Sequence, residues 1–165
     1  MRVRPIGTED AETFAGIVET VAGEGRWLLT ELPWDAAAFA RRLQGMLEVG
    51  APDILLLLED DDGRAVGNLG LHPHEAHPGL SWLGMGIVAD ARERGGGRTL
   101  LANGLDRART ESAWHKAALE VFPWNVRAIA LYVGFGFRAE GLRRAHYRGA
   151  DGSLRDVLVM GMPLR

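Results

Sequence analysis

Apolar residues along this chain alternate in some stretches and recur every third or fourth position in others. The switches between the two periods mark out its elements. Arg2–Ile6 alternates and reads as a short strand. Thr8 then stands as an N-cap before an acidic first turn (Glu9, Asp10, Glu12), with Phe14, Ile17, Val18 and Val21 at helical spacing until Gly23 and Gly25. The stretch GRWLLTELPW keeps no period and holds Trp27 and Trp34. Asp35 caps a second helix whose Phe39, Leu43, Met46 and Leu47 share a face, stopped by Gly50 and Pro52. The run ILLLLE is a buried strand, the turn Asp60–Gly63 follows, and Arg64–Leu71 returns as a hairpin arm. After the loop HPHEAHPG, Leu80–Val88 is another strand. ADARERGGG feeds a helix over about 97–111, and His115–Phe122 is a strand. Asn125 opens a helix carrying Ile129, Leu131, Tyr132 and Phe135. Phe137–Tyr147, a turn at Ala150–Ser153 and Leu154–Met162 close the chain as a hairpin.

The order βααβββαβαββ joins early strands by hairpins and later ones by helices. That predicts one α/β domain over residues 1–165, a mixed sheet with helices on both faces. Composition agrees: 165 residues, 47% hydrophobic and 25% charged, suit an ordinary globular domain rather than a disordered chain or a fibre. The absence of cysteine excludes disulfides, thiolate metal sites and thiol nucleophiles, and suits a reducing compartment. The longest aliphatic run, Ile54–Leu58, is far short of a membrane span, and the N-terminus turns acidic where a signal peptide needs an apolar core. The expectation is a soluble, cytoplasmic protein with no membrane partner.

Net charge is −3, which argues against wholesale nucleic-acid binding. It is unevenly spread: residues 1–126 carry −7 and residues 127–165 carry +4. Either the basic end is an edge strand protected from aggregation, or it is a surface for an anionic ligand.

Two stretches carry candidate chemistry. In MGIVADARERGGGRTLL a strand runs through a glycine-rich turn into a helix. Such a turn frees backbone N–H groups, and the helix N-terminus adds its own donors and a positive dipole end, an arrangement suited to phosphate. Arg94 and Arg98 are placed to add charge-assisted contacts. A plain strand-to-helix turn is the alternative. A Walker loop is excluded because Gly97-Arg98-Thr99 stands where Gly-Lys-Ser/Thr is needed, and a Rossmann fingerprint lacks its third glycine at Leu100. In LEVFPWNVRAIALYVGFGF, a strand delivers Glu120, Asn125 is a helix N-cap, and Tyr132 lies two turns further on nearly the same face. A carboxylate and a phenol form a candidate base and acid pair.

Together the two stretches resemble the GCN5-related N-acetyltransferase (GNAT) superfamily. Its phosphate loop, Arg/Gln-x-x-Gly-x-Gly/Ala before a Leu-Leu helix, corresponds to Arg92-Glu93-Arg94-Gly95-Gly96-Gly97 and Leu100-Leu101. Its later block corresponds to Asn125, Ala128-Ile129-Ala130-Leu131-Tyr132 and Gly136-Phe137. The resemblance implies a mostly antiparallel sheet of six to seven strands whose fourth and fifth strands splay. It implies acetyl-coenzyme A as donor and a primary amine as acceptor. The loop from Glu93 to Arg98 would hold the pyrophosphate, Met85, Gly86 and Ile87 the pantetheine arm, and Asn125 would bond that arm. Within the superfamily, the Leu119-Glu120-Val121, Asn125 and Tyr132 pattern is similar to ribosomal-protein alanine N-acetyltransferases and to small-molecule enzymes acting on amino acids. That similarity implies Glu120 as general base and Tyr132 as general acid. The acceptor is then a small amine or amino acid, or else a peptide N-terminus; a non-catalytic acyl-coenzyme A-binding module is a further alternative. Direct transfer is expected, since no cysteine is present to carry an acetyl group. A homodimer is common among proteins resembling this one.

Two positions depart from the pattern: Glu93 replaces a glycine, and Gly96 replaces an aliphatic residue that would anchor the loop. His72, His74 and His77 sit in a proline-broken stretch and read as a solvated loop rather than a metal site, with His72 or His74 available at a substrate rim. Trp27 and Trp34 bracket Glu31; they read either as core packing or as the wall of an acceptor pocket in which Glu31 attracts an amine.

Overall fold

The computed structural model describes all residues except 31 and 32, which removes Glu31 from the structural account. One seven-stranded sheet runs through the chain. The strands are β1 (Arg2–Pro5), β2 (Ile54–Glu59), β3 (Ala65–Pro73), β4 (Leu80–Ile87), β5 (Lys116–Val121), β6 (Arg138–Arg148) and β7 (Leu154–Pro163). The helices are α1 (Ala11–Gly23), α2 (Ala36–Glu48), α3 (Gly96–Glu111) and α4 (Val126–Phe135). The strand order is β1-β2-β3-β4-β5-β7-β6. Every neighbouring pair is antiparallel except β4 and β5. The expected element order and mixed sheet are therefore present.

Strand β2 shows why the run ILLLLE belongs at the centre. Ile54, Leu56 and Leu58 pack on the face covered by α3 and α4, while Leu55 and Leu57 pack on the face covered by α1 and α2. A strand with a helical layer on each side must be apolar at every position, since alternate residues point to opposite faces. Each fully buried leucine contributes about 1.5–3 kcal/mol relative to exposure.

The first helix starts differently from its sequence expectation. Thr8 lies inside a short 3-10 turn, Thr8–Asp10, with Gly7 at the capping position. The acidic residue Asp10 turns inward instead, accepting the Gly7 N–H at 2.8 Å and two bonds from Arg4 at 2.6 and 2.7 Å. Asp35 does cap α2, accepting from the Ala38 N–H at 2.8 Å. His72 also moves: β3 runs to Pro73, so this histidine is a strand residue, not part of the following loop.

The feature that positions the cleft is the β4–β5 pairing. It holds only at Leu80–Lys116, Ser81–Ala117 and Trp82–Ala118. Beyond it β4 stays on β3 through Ile87, and β5 stays on β7 through Val121. The two strands diverge and leave a gap in the middle of the sheet.

The edge of the sheet is pinned by a charged network. Arg4 donates to Asp10 and, at 2.6 Å, to Glu59, which Arg2 also reaches at 2.8 Å. The bonds from Arg4 hold both the Asp10 and Glu59 carboxyls below their ordinary values. A carboxyl depressed in the folded state adds stability that is present above its unfolded pKa near 4 and is lost as pH falls through the lower folded value. Thermal unfolding should therefore give a flat Tm from pH 8 to 5 and a falling Tm below pH 4. Arg4→Met should lower Tm by ~5 °C at pH 7 and flatten the acid limb. An unchanged acid limb in Arg4→Met would remove these two carboxyls from the acid response.

Candidate active site

A cleft of about 770 Å³ occupies the gap between β4 and β5. Its walls come from β4 (Trp82 to Ile87), the turn before α3, the start of α4, Glu120 and Val121 of β5, and the segment Trp27–Thr30 after α1.

The glycine turn forms one end. Gly95 adopts φ +84° at the cap of α3, a left-handed conformation that glycine accepts without strain. The first helical hydrogen bond here runs from the Thr99 N–H to the Gly95 carbonyl at 3.1 Å. The N–H groups of Gly96, Gly97 and Arg98 therefore have no acceptor within the helix. Gly97 and Arg98 line the cleft, and a Cβ on Gly97 would stand 3.3 Å from Leu131. Gly96 is buried beneath the turn, where a Cβ would lie 2.5 Å from Leu58 Cδ2 and 3.1 Å from the Met1 sulfur. The space that an aliphatic side chain would take there is thus filled by Leu58 and Met1.

The arginines divide. Arg98 lines the cleft with its guanidinium 5.5 Å over the Phe135 ring. Arg94 is exposed and outside the wall. Arg92 faces the wall but is engaged: Nε donates to the Ile87 carbonyl at 2.8 Å, and both terminal nitrogens donate to Glu24. Glu24 also accepts from the Trp27 indole at 2.7 Å. Arg92 thereby joins the end of β4 to the end of α1 and to Trp27. Glu93 adopts φ +66°, which explains a glycine at the matching position of the resembling family, and its carboxylate pairs with Arg127 at 2.5 Å.

The β4 edge forms the middle. The Val88 N–H donates to the Val66 carbonyl, so residue 88 points its backbone groups toward β3. The β3–β4 register is unbroken from Gly67–Ile87 to Pro73–Ser81. By alternation, Ile87, Met85 and Leu83 point their N–H and C=O groups to the other edge, into the gap. Gly86 lies between them, its backbone turned to β3. Asn125 caps α4 by accepting from the Ala128 N–H at 3.3 Å through Oδ1, and its side-chain N–H₂, with no bond to the described residues, lies at the cleft wall.

Glu120 and Tyr132 approach the cleft from opposite faces of the sheet. Tyr132 packs in the core beneath α3 and α4, its ring 5.7 Å from Phe137, and lines the cleft. Burial raises its phenol pKa further above its ordinary value, so it keeps its proton at neutral pH. Its hydroxyl makes no hydrogen bond among the described residues. Glu120 sits between Leu119 and Val121, which belong to that same core, so its own side chain projects to the face of α1 and α2. On that face Gly70 pairs with Gly84, and His72 pairs with Trp82. Glu120 accepts a bond from Arg143 of β6, whose same nitrogen lies 3.4 Å from His146 Nε2. The segment after α1 covers this side. Tyr147 donates to the Thr30 carbonyl at 2.9 Å, Trp124 to the Arg26 carbonyl at 3.1 Å, and Arg155 to the Gly25 carbonyl at 2.9 Å.

Trp27 is thus a cleft wall, whereas Trp34 packs 5.0 Å from Phe39 in the core between α1 and α2. His72 lines the cleft with Nδ1 at 2.5 Å from Asp53, while His74 stacks on His77 at 4.6 Å. Three features were missed from sequence: the Arg143–Glu120 pair, the His72–Asp53 pair and the clamps on residues 25–30. All join positions distant in the chain, and no local pattern marks them.

Comparison with known proteins agrees with this geometry. The chain belongs to the acetyltransferase (GNAT) family, whose profile residues 24–137 match. It is 33% identical over 132 residues to the N-alpha-acetyltransferase RimI of Mycobacterium tuberculosis, covering 78% of this chain and 77% of that one. It is 37% identical over 81 residues to the [ribosomal protein bS18]-alanine N-acetyltransferase of Salmonella typhimurium; this match covers 47% of this chain and spans about half, 51%, of that enzyme. The fold superposes with a TM-score of 0.84 on a phosphinothricin acetyltransferase from Sinorhizobium meliloti in complex with acetyl-CoA, at 21% identity, covering 98% of this chain and 87% of that one. Among the described residues, no helix is long and apolar enough to cross a membrane.

The left-handed Glu93 gives a stability test. A non-glycine residue there costs ~1 kcal/mol, and its exposed ion pair with Arg127 returns less than that. Glu93→Gly should leave Tm unchanged or raise it by a few degrees in thermal unfolding. A fall of several degrees would mean that the Arg127 pair outweighs the backbone strain.

Proposed function

We propose that this protein is an acetyl-coenzyme A-dependent N-acetyltransferase that acetylates a primary amine of a small molecule or amino acid by direct transfer. The observation that carries the reading is a carboxylate and a protonated phenol reaching one gap from opposite faces of the sheet. At one end of that gap stand unbonded helix N–H groups, and along it runs a free strand edge.

The residues present fit the donor. The N–H groups of Gly96, Gly97 and Arg98 suit a pyrophosphate, with the positive end of α3 behind them. The backbone groups of Met85 and the N–H of Ile87 suit the amides of a pantetheine arm, running past Gly86, and the free N–H₂ of Asn125 suits the same arm. In this reading Glu93, Arg94 and Gly95 shape the turn, and Arg92 holds the end of β4 in place. When bound, acetyl-coenzyme A supplies an activated thioester. Glu120 takes the proton from the acceptor's ammonium, directly or through water, because a protonated amine has no lone pair to attack with. A β4 N–H near Ile87 faces the carbonyl oxygen as negative charge develops on it. Tyr132 gives its proton to the departing sulfur. With no cysteine in the chain, no thiol competes for the acetyl group, and the same composition agrees with a reducing cytoplasm.

A second acceptor reading, the N-terminus of a peptide or ribosomal protein, is favoured by the activities named for the two relatives above.

Release of free thiol across a panel of amines tests the proposal. Glu120→Gln and Tyr132→Phe should each lower kcat by ~10²-fold while acetyl-coenzyme A still raises Tm. Full activity in both variants would overturn the assigned roles. A Tm shift with no thiol release from any amine would leave a binding module instead.

A further inference from the structure

The Glu120–Arg143 pair says more about the acceptor. The pair is accessible, with 24% of the Glu120 side chain and 45% of the Arg143 side chain exposed. Only Oε1 of Glu120 is engaged, and only Nη1 of Arg143. Among the described residues, Oε2 on one side and the Nε and Nη2 donors on the other have no partner. A guanidinium carries donors on three nitrogens, so one already bonded through Nη1 can still receive a carboxylate at the adjacent Nη2. Arg143 therefore has the means to hold Glu120 with Nη1 and a second carboxylate beside it with Nη2.

Charge balance favours such an occupant. Arg143 stands beside the cleft wall rather than in it; of the described ionisable residues that line the cleft away from the glycine turn, Glu120 apart, Arg92 is paired with Glu24 and His72 is bonded to Asp53. An ammonium brought to Glu120 leaves that carboxylate sharing two cations, itself and Arg143. A ligand carrying a carboxylate next to its ammonium restores neutrality; an amide or a simple amine does not. The bonds from Tyr147, Trp124 and Arg155 to residues 25–30 also tie the covering segment onto β6, β7 and the β5–α4 link. That covers a compact acceptor better than it passes a peptide chain.

We propose that Arg143 is the specificity-determining residue for the acceptor, and that the acceptor is a free α-amino acid whose carboxylate takes the free Arg143 Nη2 donors while its ammonium takes Glu120 Oε2. The inference rests on the transfer reading above and goes beyond it by choosing the free amino acid over the peptide N-terminus.

The full-length protein is assayed for thiol release with methionine, methionine amide, methionyl-alanine and 3-(methylthio)propylamine, and likewise with the phenylalanine set. Binding of each to protein saturated with coenzyme A is read in parallel by Tm shift. The free acid should exceed its amide and amine at least tenfold in kcat/KM and should alone raise Tm. Arg143→Gln should collapse the acid-to-amide ratio toward one, mainly through KM, and Arg143→Lys should keep more of it; unchanged Tm values of the free variants confirm folding. Amides or dipeptides used as well as the acid, or a ratio unmoved in Arg143→Gln, would overturn the inference and leave the transfer reading standing. No turnover of any amine, with acetyl-coenzyme A still bound, would overturn both.

Discussion

The parting of β4 from β5 is the constraint on which the rest depends. A parallel pair that continued past Trp82 and Ala118 would satisfy both strand edges and seal the sheet. Because it stops, the β4 backbone groups of Met85 and the N–H of Ile87 are left unpaired by β5, and an opening connects the two faces. Tyr132, rooted in the core beneath α3 and α4, and Glu120, projecting under α1 and α2, meet only through that opening. A phenol and a carboxylate on opposite sides of a closed sheet would be separated by a full layer of backbone.

The two ends of the cleft are built by different means. Around the glycine turn the donors are main-chain N–H groups, fixed by the conformation of Gly95 and the start of α3. Around Glu120 the contacts are side chains, and most come from far along the sequence. Arg92 links the ends, because its one guanidinium holds the Ile87 carbonyl and the Glu24 carboxylate that also receives Trp27.

What the sequence showed follows from that division. Periodicity placed every strand and helix, since β2 must be apolar throughout and α2 must be apolar along one stripe. The caps Asp35 and Asn125 and the glycine turn before α3 were readable because they act on neighbours within four residues. Thr8 misled because Asp10 had a stronger partner in Arg4, which no local rule reveals. Arg143 looked like one basic residue among several at the C-terminal end; its bond to Glu120 spans 23 positions and crosses β7. Side-chain pairs across a sheet are set by register, and register is a property of the folded topology.

The position of the seam separates the labour of the two halves of the chain. The glycine turn and the open edge of β4 lie on one side of the seam, while Arg143, Tyr147 and Arg155 of the final hairpin reach Glu120 and the segment after α1 from the other. The closing hairpin pairs with itself and with β5, so its exposed side chains can be recharged without touching the glycine turn or the free edge of β4. The hairpin is therefore the part of the molecule where the cleft's surroundings can change while its backbone-built end stays as it is.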